Sequence, residues 1–344
     1  MNIRRIQVAS PLTLVVLSAC GGSSGGGALS ALINGTAING PLFGARVFLD
    51  VADANGNFDG VYNAADDILA SNNGLTDELG DFSVDTSGLA SGATYRIVVE
   101  SLDTTVINYG GANPEDGDLQ PAGGFTLTAP EDSSVVTPIT TLIEQGGLTP
   151  ADVATALGLD GVDLLTFNPF DTTDTATAVK AEKVSMQVVT TLETLSSAAE
   201  SAGAGGADAA SAAVGALVSV ITAKVTNEET LDLAPDNLND PNNDIAALTD
   251  NFKTELTAAG VNTAAITALE DEIERSIQVV NSGIENLPED VDLTSADSKN
   301  TFSAAKLLSE QVSDAVTSGN AADISFTNEA AFAASAANAA PTGV

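Results

Sequence analysis

Between residues 50 and 67 of this 344-residue chain, oxygen-bearing side chains recur at a spacing that suits a hard cation: Asp50, Asp53, Asn55, Asn57, Asp59, Asp66 and Asp67. Carboxylate and amide oxygens on alternate residues of a glycine-containing loop can converge on one ion, and calcium takes several such oxygens in flexible geometry. Against an EF-hand loop, Asp53, Asn55, Asn57 and Asp59 fit the first, third, fifth and seventh positions, but Phe58 stands at the glycine position and Ala64 where the bidentate glutamate belongs. The EF-hand is therefore excluded. The competing explanation is that Asp, Asn and Gly make turns between strands.

The rest of the composition narrows the chemistry further. There is no histidine and no tryptophan, and Cys20 is the one cysteine. Ser-His-Asp triads, Cys-His pairs, the HExxH zinc site and the usual near-neutral general base are excluded, as is a disulfide within the chain. A pair of carboxylates could run glycoside hydrolysis without histidine. With 47 acidic residues, however, close acid pairs arise by chance, and the three tyrosines (Tyr62, Tyr95, Tyr109) sit in strand-like segments rather than as stacking platforms. Catalysis is not expected. A net charge of −36 repels nucleic acid and anionic lipid head groups and attracts cations. An apolar content of 44% sets the chain apart from disordered acidic tails.

Arg4 and Arg5, the apolar run Ile6 to Leu17 and the small residues before Cys20 resemble a bacterial lipoprotein signal with its lipobox. The run is short for a bilayer span and Pro11 interrupts it. The resemblance implies cleavage before Cys20, acyl lipid on its sulfur and a protein anchored in the cell envelope. Gly21 after the cysteine points to an outer membrane or cell surface. Residues 1–19 would be leader and residues 20–27 a Gly/Ser tether with a reach of about 15 Å. Loss of the two arginines takes the net charge from −36 to −38.

Two textures must position the candidate residues. From 28 to 136, short runs rich in β-branched and aromatic residues (Arg46 to Leu49, Phe82 to Val84, Tyr95 to Glu100, Phe125 to Leu127) alternate with Gly, Asn and Asp clusters, and predict an antiparallel β-sandwich of at most seven strands. From 137 to 329 the apolar spacing is helical. It gives Val184, Val188, Leu192 and Leu195; Val214, Leu217, Ile221 and Val225; Ile245, Leu248, Phe252 and Leu256; Ile266, Leu269, Ile273, Ile277 and Val280; and Phe302, Leu308, Val312 and Val316. Five stripes predict a helical bundle. Thr149-Pro150-Ala151-Asp152 supplies a helix start, and Gly283 and Gly319 are candidate helix ends. Residues 330–344 read as an alanine-rich tail that frays. The fold class is α+β in two domains, a transthyretin/Ig-like sandwich and an all-α bundle.

Thr36 to Leu49, the loop Asn55 to Asp59 and Thr76-Asp77-Glu78-Leu79-Gly80-Asp81-Phe82 resemble the successive signatures of a prealbumin-like, carboxypeptidase-regulatory-type sandwich, similar to the B-type repeats of bacterial adhesins. That resemblance implies calcium at the loop, with Asp50, Asp53, Asn55 and Asp59 first among ligands and Asp66 or Asp67 closing the site. The lysine-to-asparagine crosslink of some such repeats is unavailable, since residues 28–136 hold no lysine. Val135 to Ile143 resembles the Thr-Pro-x-Thr-Thr-Leu hinge that joins small β domains to helices in exported bacterial proteins. Together these features imply a non-catalytic surface adhesion or binding module, calcium-stabilised, with a surface protein or a glycan as partner and the membrane reached through the lipid. Two alternatives stand beside it: an envelope accessory protein whose bundle binds a partner protein or an apolar ligand, and a carboxylate-based hydrolase.

Overall fold

The computed structural model describes residues 32–90, 92–114, 118–235 and 243–338. The leader, Cys20 and its tether lie outside the described residues, as does the end of the chain after Asn338.

An N-terminal region of small antiparallel sheets (32–136) is followed by a helical region (138–338). The strands are β1 (Leu32–Ala37), β2 (Leu42–Phe43), β3 (Arg46–Val51), β4 (Ile68–Leu69), β5 (Asp81–Asp85), β6 (Tyr95–Glu100), β7 (Val106–Asn108), β8 (Leu119–Pro121), β9 (Thr126–Ala129) and β10 (Val135–Val136). They form three sheets, ordered β10-β1-β5, β2-β7-β8 and β4-β3-β6-β9. Every pairing is antiparallel except β1 with β10. Val47, Phe48 and Leu49 of β3 and Ile97, Val98 and Val99 of β6 are all buried. These two central strands therefore read as unbroken apolar runs instead of alternating. The count exceeds the expected seven because β2, β4 and β10 are two-residue ladders, too short to leave a periodic signal.

A single turn, α1 (Ser71–Gly74), interrupts the strands, with Asn72 and Asn73 in left-handed conformations. The helices proper are α2 (Pro138–Gly146), α3 (Pro150–Ala156), α4 (Thr175–Ser201), α5 (Gly206–Asn227), α6 (Asp244–Ala258), α7 (Ala264–Ala268), α8 (Glu270–Glu285), α9 (Ala296–Ser318) and α10 (Glu329–Asn338). Local chemistry sets the boundaries. Thr137 caps α2 reciprocally with Thr140, Pro138 takes the first turn, and the Thr149 hydroxyl accepts from the Asp152 amide at the start of α3. Gly319, at φ +70°, ends α9 in a left-handed conformation that a glycine adopts without strain.

The predicted stripes form the helical core. Ile245, Leu248, Phe252 and Leu256 are all buried, as are Phe302, Leu308, Val312 and Val316. The stripe from Ile266 to Val280 is buried throughout but divided between α7 and α8 by a break at Leu269. Gly283 does not end a helix. It lies inside α8, where a methyl group would overlap the ring of Phe332, so its role is to let α10 approach. The expected fraying tail is helical through Asn338, with Phe332 buried and edge-on to Phe326 at 5.4 Å. By length and composition α5 is apolar enough to cross a membrane. It packs against α4 and α6, and its exposed positions are small or polar, among them Ala207, Asp208, Ala210, Ser211, Ser219, Thr222, Ala223 and Thr226.

Candidate functional site

The acidic loop leaves the end of β3 and returns to β4. Asp50, the last inward residue of β3, is buried and stands directly across from Arg96 of β6. Its Oδ2 accepts from Arg96 Nε at 2.9 Å, lies 2.8 Å from a terminal guanidinium nitrogen, and also accepts from the Gly60 amide at 2.9 Å. Phe58 closes over the guanidinium, 4.8 Å from carbon to ring centroid, a cation–π arrangement. The residue that spoils the EF-hand pattern thus holds a cation of the protein's own.

The remaining loop carboxylates face backbone donors. Asp53 Oδ1 accepts from the amides of Asn55 (2.7 Å) and Asn57 (2.9 Å), which hold its carboxyl below the usual range. Asp59 accepts from Val61, while Asp67 accepts from Asn63 and Val51. Burial, with smaller contributions from Asp50 and Asp59, pushes the Asp67 carboxyl up against the lowering effect of those amides. Asp66 Oδ2 accepts from the Asn63 side chain. Asn55 and Asn57 turn their amide groups toward Asp53. Among the described residues no group of three or more acidic side chains is arranged to hold a metal ion. Sequence reasoning missed Arg96; the available signal was that Arg46 and Arg96 are the only two bases among residues 28–136.

Among the described residues a concave feature lies elsewhere, on the outer face of the β10-β1-β5 sheet. An open groove of about 710 Å³ has Asn34 and Thr36 of β1 and Asp81 and Ser83 of β5 along its floor. These are cross-strand neighbours, Asn34 opposite Ser83 and Thr36 opposite Asp81. One wall is the turn carrying Ser71, Asn72 and Asp77; the other is the loop carrying Thr166, Asn168 and Asp171. The alternation of β1 and β5 sends these polar side chains outward while Phe82 and Val84 enter the core. The Thr36 hydroxyl donates to Asp81 Oδ1 at 2.6 Å, and Asp77 Oδ1 accepts from the amides of Leu79 and Asp81, so both carboxylates are fixed in position. Among the described residues, no lysine or arginine lines the groove. Its lining is a set of fixed acceptors and small hydroxyl and amide groups, suited to a partner that brings hydrogen-bond donors and positive charge.

Most bases among the described residues are engaged with partners, while Lys180 and Arg275 stand exposed. Arg46 pairs with Glu100, Lys224 with Asp244 and Glu229, Lys253 with Asp250 and Glu270, and Lys299 with Asp118. Lys183 and Lys306 donate to backbone carbonyls. The surface that remains is strongly anionic. No protein-family model, curated protein or solved structure matches the chain.

Proposed function

We propose that the chain is a non-catalytic binding protein of the cell envelope, anchored through acyl lipid on Cys20, and that it captures a surface partner by a basic segment laid into the groove over β1 and β5. The observation that carries this reading is the groove of about 710 Å³ with Asp77, Asp81 and Asp171 in its lining and no base among its described residues. Electrostatic complementarity then favours cationic partners and disfavours anionic ones. A two-layer, prealbumin-like packing of the three sheets belongs to the same proposal, as does the arrangement of the helices as a bundle that props the second groove wall. Calcium is not needed at the acidic loop in this reading, because Arg96 already neutralises Asp50.

Less supports the alternatives. Of the exposed large apolar residues among those described, Leu32, Val61, Leu79 and Leu307, only Leu307 lies in the helical region, which offers little for an apolar ligand. For a hydrolase, two carboxylates would have to act on substrate, whereas Asp77 is spent on two backbone amides.

Calorimetric titration with a short lysine-rich peptide tests the proposal, with a neutral oligosaccharide and an acidic peptide as the other arms. Exposed ion pairs contribute about 0–1 kcal/mol each, so Asp81→Asn with Asp171→Asn should weaken the basic peptide about tenfold. The control pair Asp297→Asn with Asp314→Asn on α9 should leave binding unchanged. Equal weakening by both pairs would reduce the interaction to general attraction by net charge. Binding of the oligosaccharide alone would replace the basic partner with a glycan.

A further inference from the structure

Glu182 lies in α4 with no exposed surface, at the seam where the β1–β2 turn meets the helices. Its Oε1 accepts from the Gly40 amide at 3.2 Å. Its Oε2 has no hydrogen-bond partner among the described residues, nor do the Tyr109 hydroxyl, the Ser185 hydroxyl and both amide atoms of Asn39, all within residues at most 5% exposed. Unpartnered buried polar atoms are rare, and several at one seam need a physical account. A cavity of about 20 Å³ adjoins two of them, Glu182 and Ser185, and is otherwise lined by Thr137 and by apolar groups such as Ile38, Ile139, Leu164 and Phe167. Roughly 10–15 Å³ admits one water molecule.

We propose that Glu182 is kept as a neutral carboxylic acid at this seam, where with one enclosed water it forms a proton-bearing latch between the sheets and the helices that weakens as pH rises to neutral. The neutral group fits the geometry: Oε1 accepts from Gly40, and the proton on Oε2 is donated to the water, which in turn donates to Ser185 Oγ. Nothing that faces it would compensate a charge. The turn from Ile38 to Pro41 carries no ionisable group, α2 presents Ile139, and the loop before α4 presents Val162, Leu164 and Phe167. The Tyr109 phenol at the end of β7 is the titratable neighbour, packed on Phe302 of α9 with centroids 6.4 Å apart. Lys183, next in the helix, reaches the Glu285 carbonyl instead. Burial pushes the Glu182 carboxyl up to about 7 against the Gly40 amide, and pushes the Tyr109 phenol well above its ordinary value.

The sign follows from linkage. An unfolded chain ionises this carboxyl near 4.5 and the folded one near 7, so between those values the unfolded state binds fewer protons and stability falls as pH rises, levelling off above 7. Carbon-13 titration of the assigned Glu182 carboxyl in the wild type should give a midpoint near 7, and a crystal structure at acidic pH should show one water between Glu182 and Ser185. Melting temperature followed across this interval should fall less steeply in Glu182→Gln, which keeps the shape and both hydrogen-bonding roles without the charge. A Glu182 midpoint in the ordinary carboxylate range, or identical slopes for wild type and Glu182→Gln, would overturn the proposal. Should Glu182→Gln fail to fold, the wild-type carbon titration decides alone.

Discussion

The backbone amide of Thr128, on the outer strand β9, donates to the hydroxyl of Thr141 on α2 at 2.9 Å. The Thr128 carbonyl accepts from the Thr140 hydroxyl at the same distance. Strand β9 pairs only with β6, so two adjacent threonines of a helix satisfy the polar edge that a further strand would otherwise cover. This gives the Thr-Pro-x-Thr-Thr segment a physical reason: Thr137 and Thr140 cap the helix while Thr140 and Thr141 bind it to the sheet.

Removal of the Thr141 hydroxyl leaves a buried amide unpaired at nearly constant volume. Thr141→Val should cost about 1–3 kcal/mol, and Thr141→Ser much less. Urea denaturation midpoints measure this; a valine variant as stable as the wild type would show that the edge is satisfied in another way.

Gly283→Ala sets helix propensity against packing. In an exposed helix the change would stabilise by about 1 kcal/mol. Here the added methyl meets the Phe332 ring, and overpacking typically costs about 1–3 kcal/mol, so net destabilisation is expected. Phe332→Ala should cancel the penalty in the double variant, and additive effects would contradict the assigned contact.

Arg96 carries the charge balance of the acidic loop. Arg96→Met leaves Asp50 buried without its partner and should cost about 3–5 kcal/mol. Calcium should shift the melting temperature equally in the wild type and in Asp53→Ala with Asp59→Ala, since binding to the folded state alone raises stability and the loop oxygens already face backbone amides. A larger shift in the wild type would restore the calcium site.

The charges of Glu193 on α4 and Lys306 on α9, which act on each other without an ion-pair contact, predict a trough in stability. Burial pushes the Glu193 carboxyl up to about 7, with Lys306 opposing, and pulls the Lys306 ammonium down to about 8, with Glu193 opposing. The glutamate lowers stability as pH rises from 4.5 to 7; the lysine restores it as pH rises from 8 to 10.5. The minimum falls between 7 and 8. Replacing the pair by Gln and Met should fill the trough by about 1 kcal/mol, a figure reduced for their partial exposure. Melting curves at several pH values measure it, and unchanged curvature would refute it.

The helical region was legible because its signals are local: each stripe repeats at helical spacing, and Thr149 with Pro150 marks a start that the structure reproduces. The strands around Val47 and Val99 were legible from β-branched runs. Contacts distant in sequence were not. Gly283 looked like a helix end because its partner, Phe332, arrives from 49 residues away. The role of Phe58 depends on Arg96, placed by the register of two strands. The groove is built from four separate segments, 34–36, 71–83, 134–135 and 166–171, none of which carries a pattern by itself.

The change of texture between Val136 and Thr137 is a border in composition and not in mechanics. Strand β10 lies against β1 and runs directly into Thr137, the residue that starts α2, while that helix grips β9. A cut at that border would part contacts that both halves share. The first half alone would expose a sheet margin open to self-association, and the second would lose the strand that anchors its opening turn.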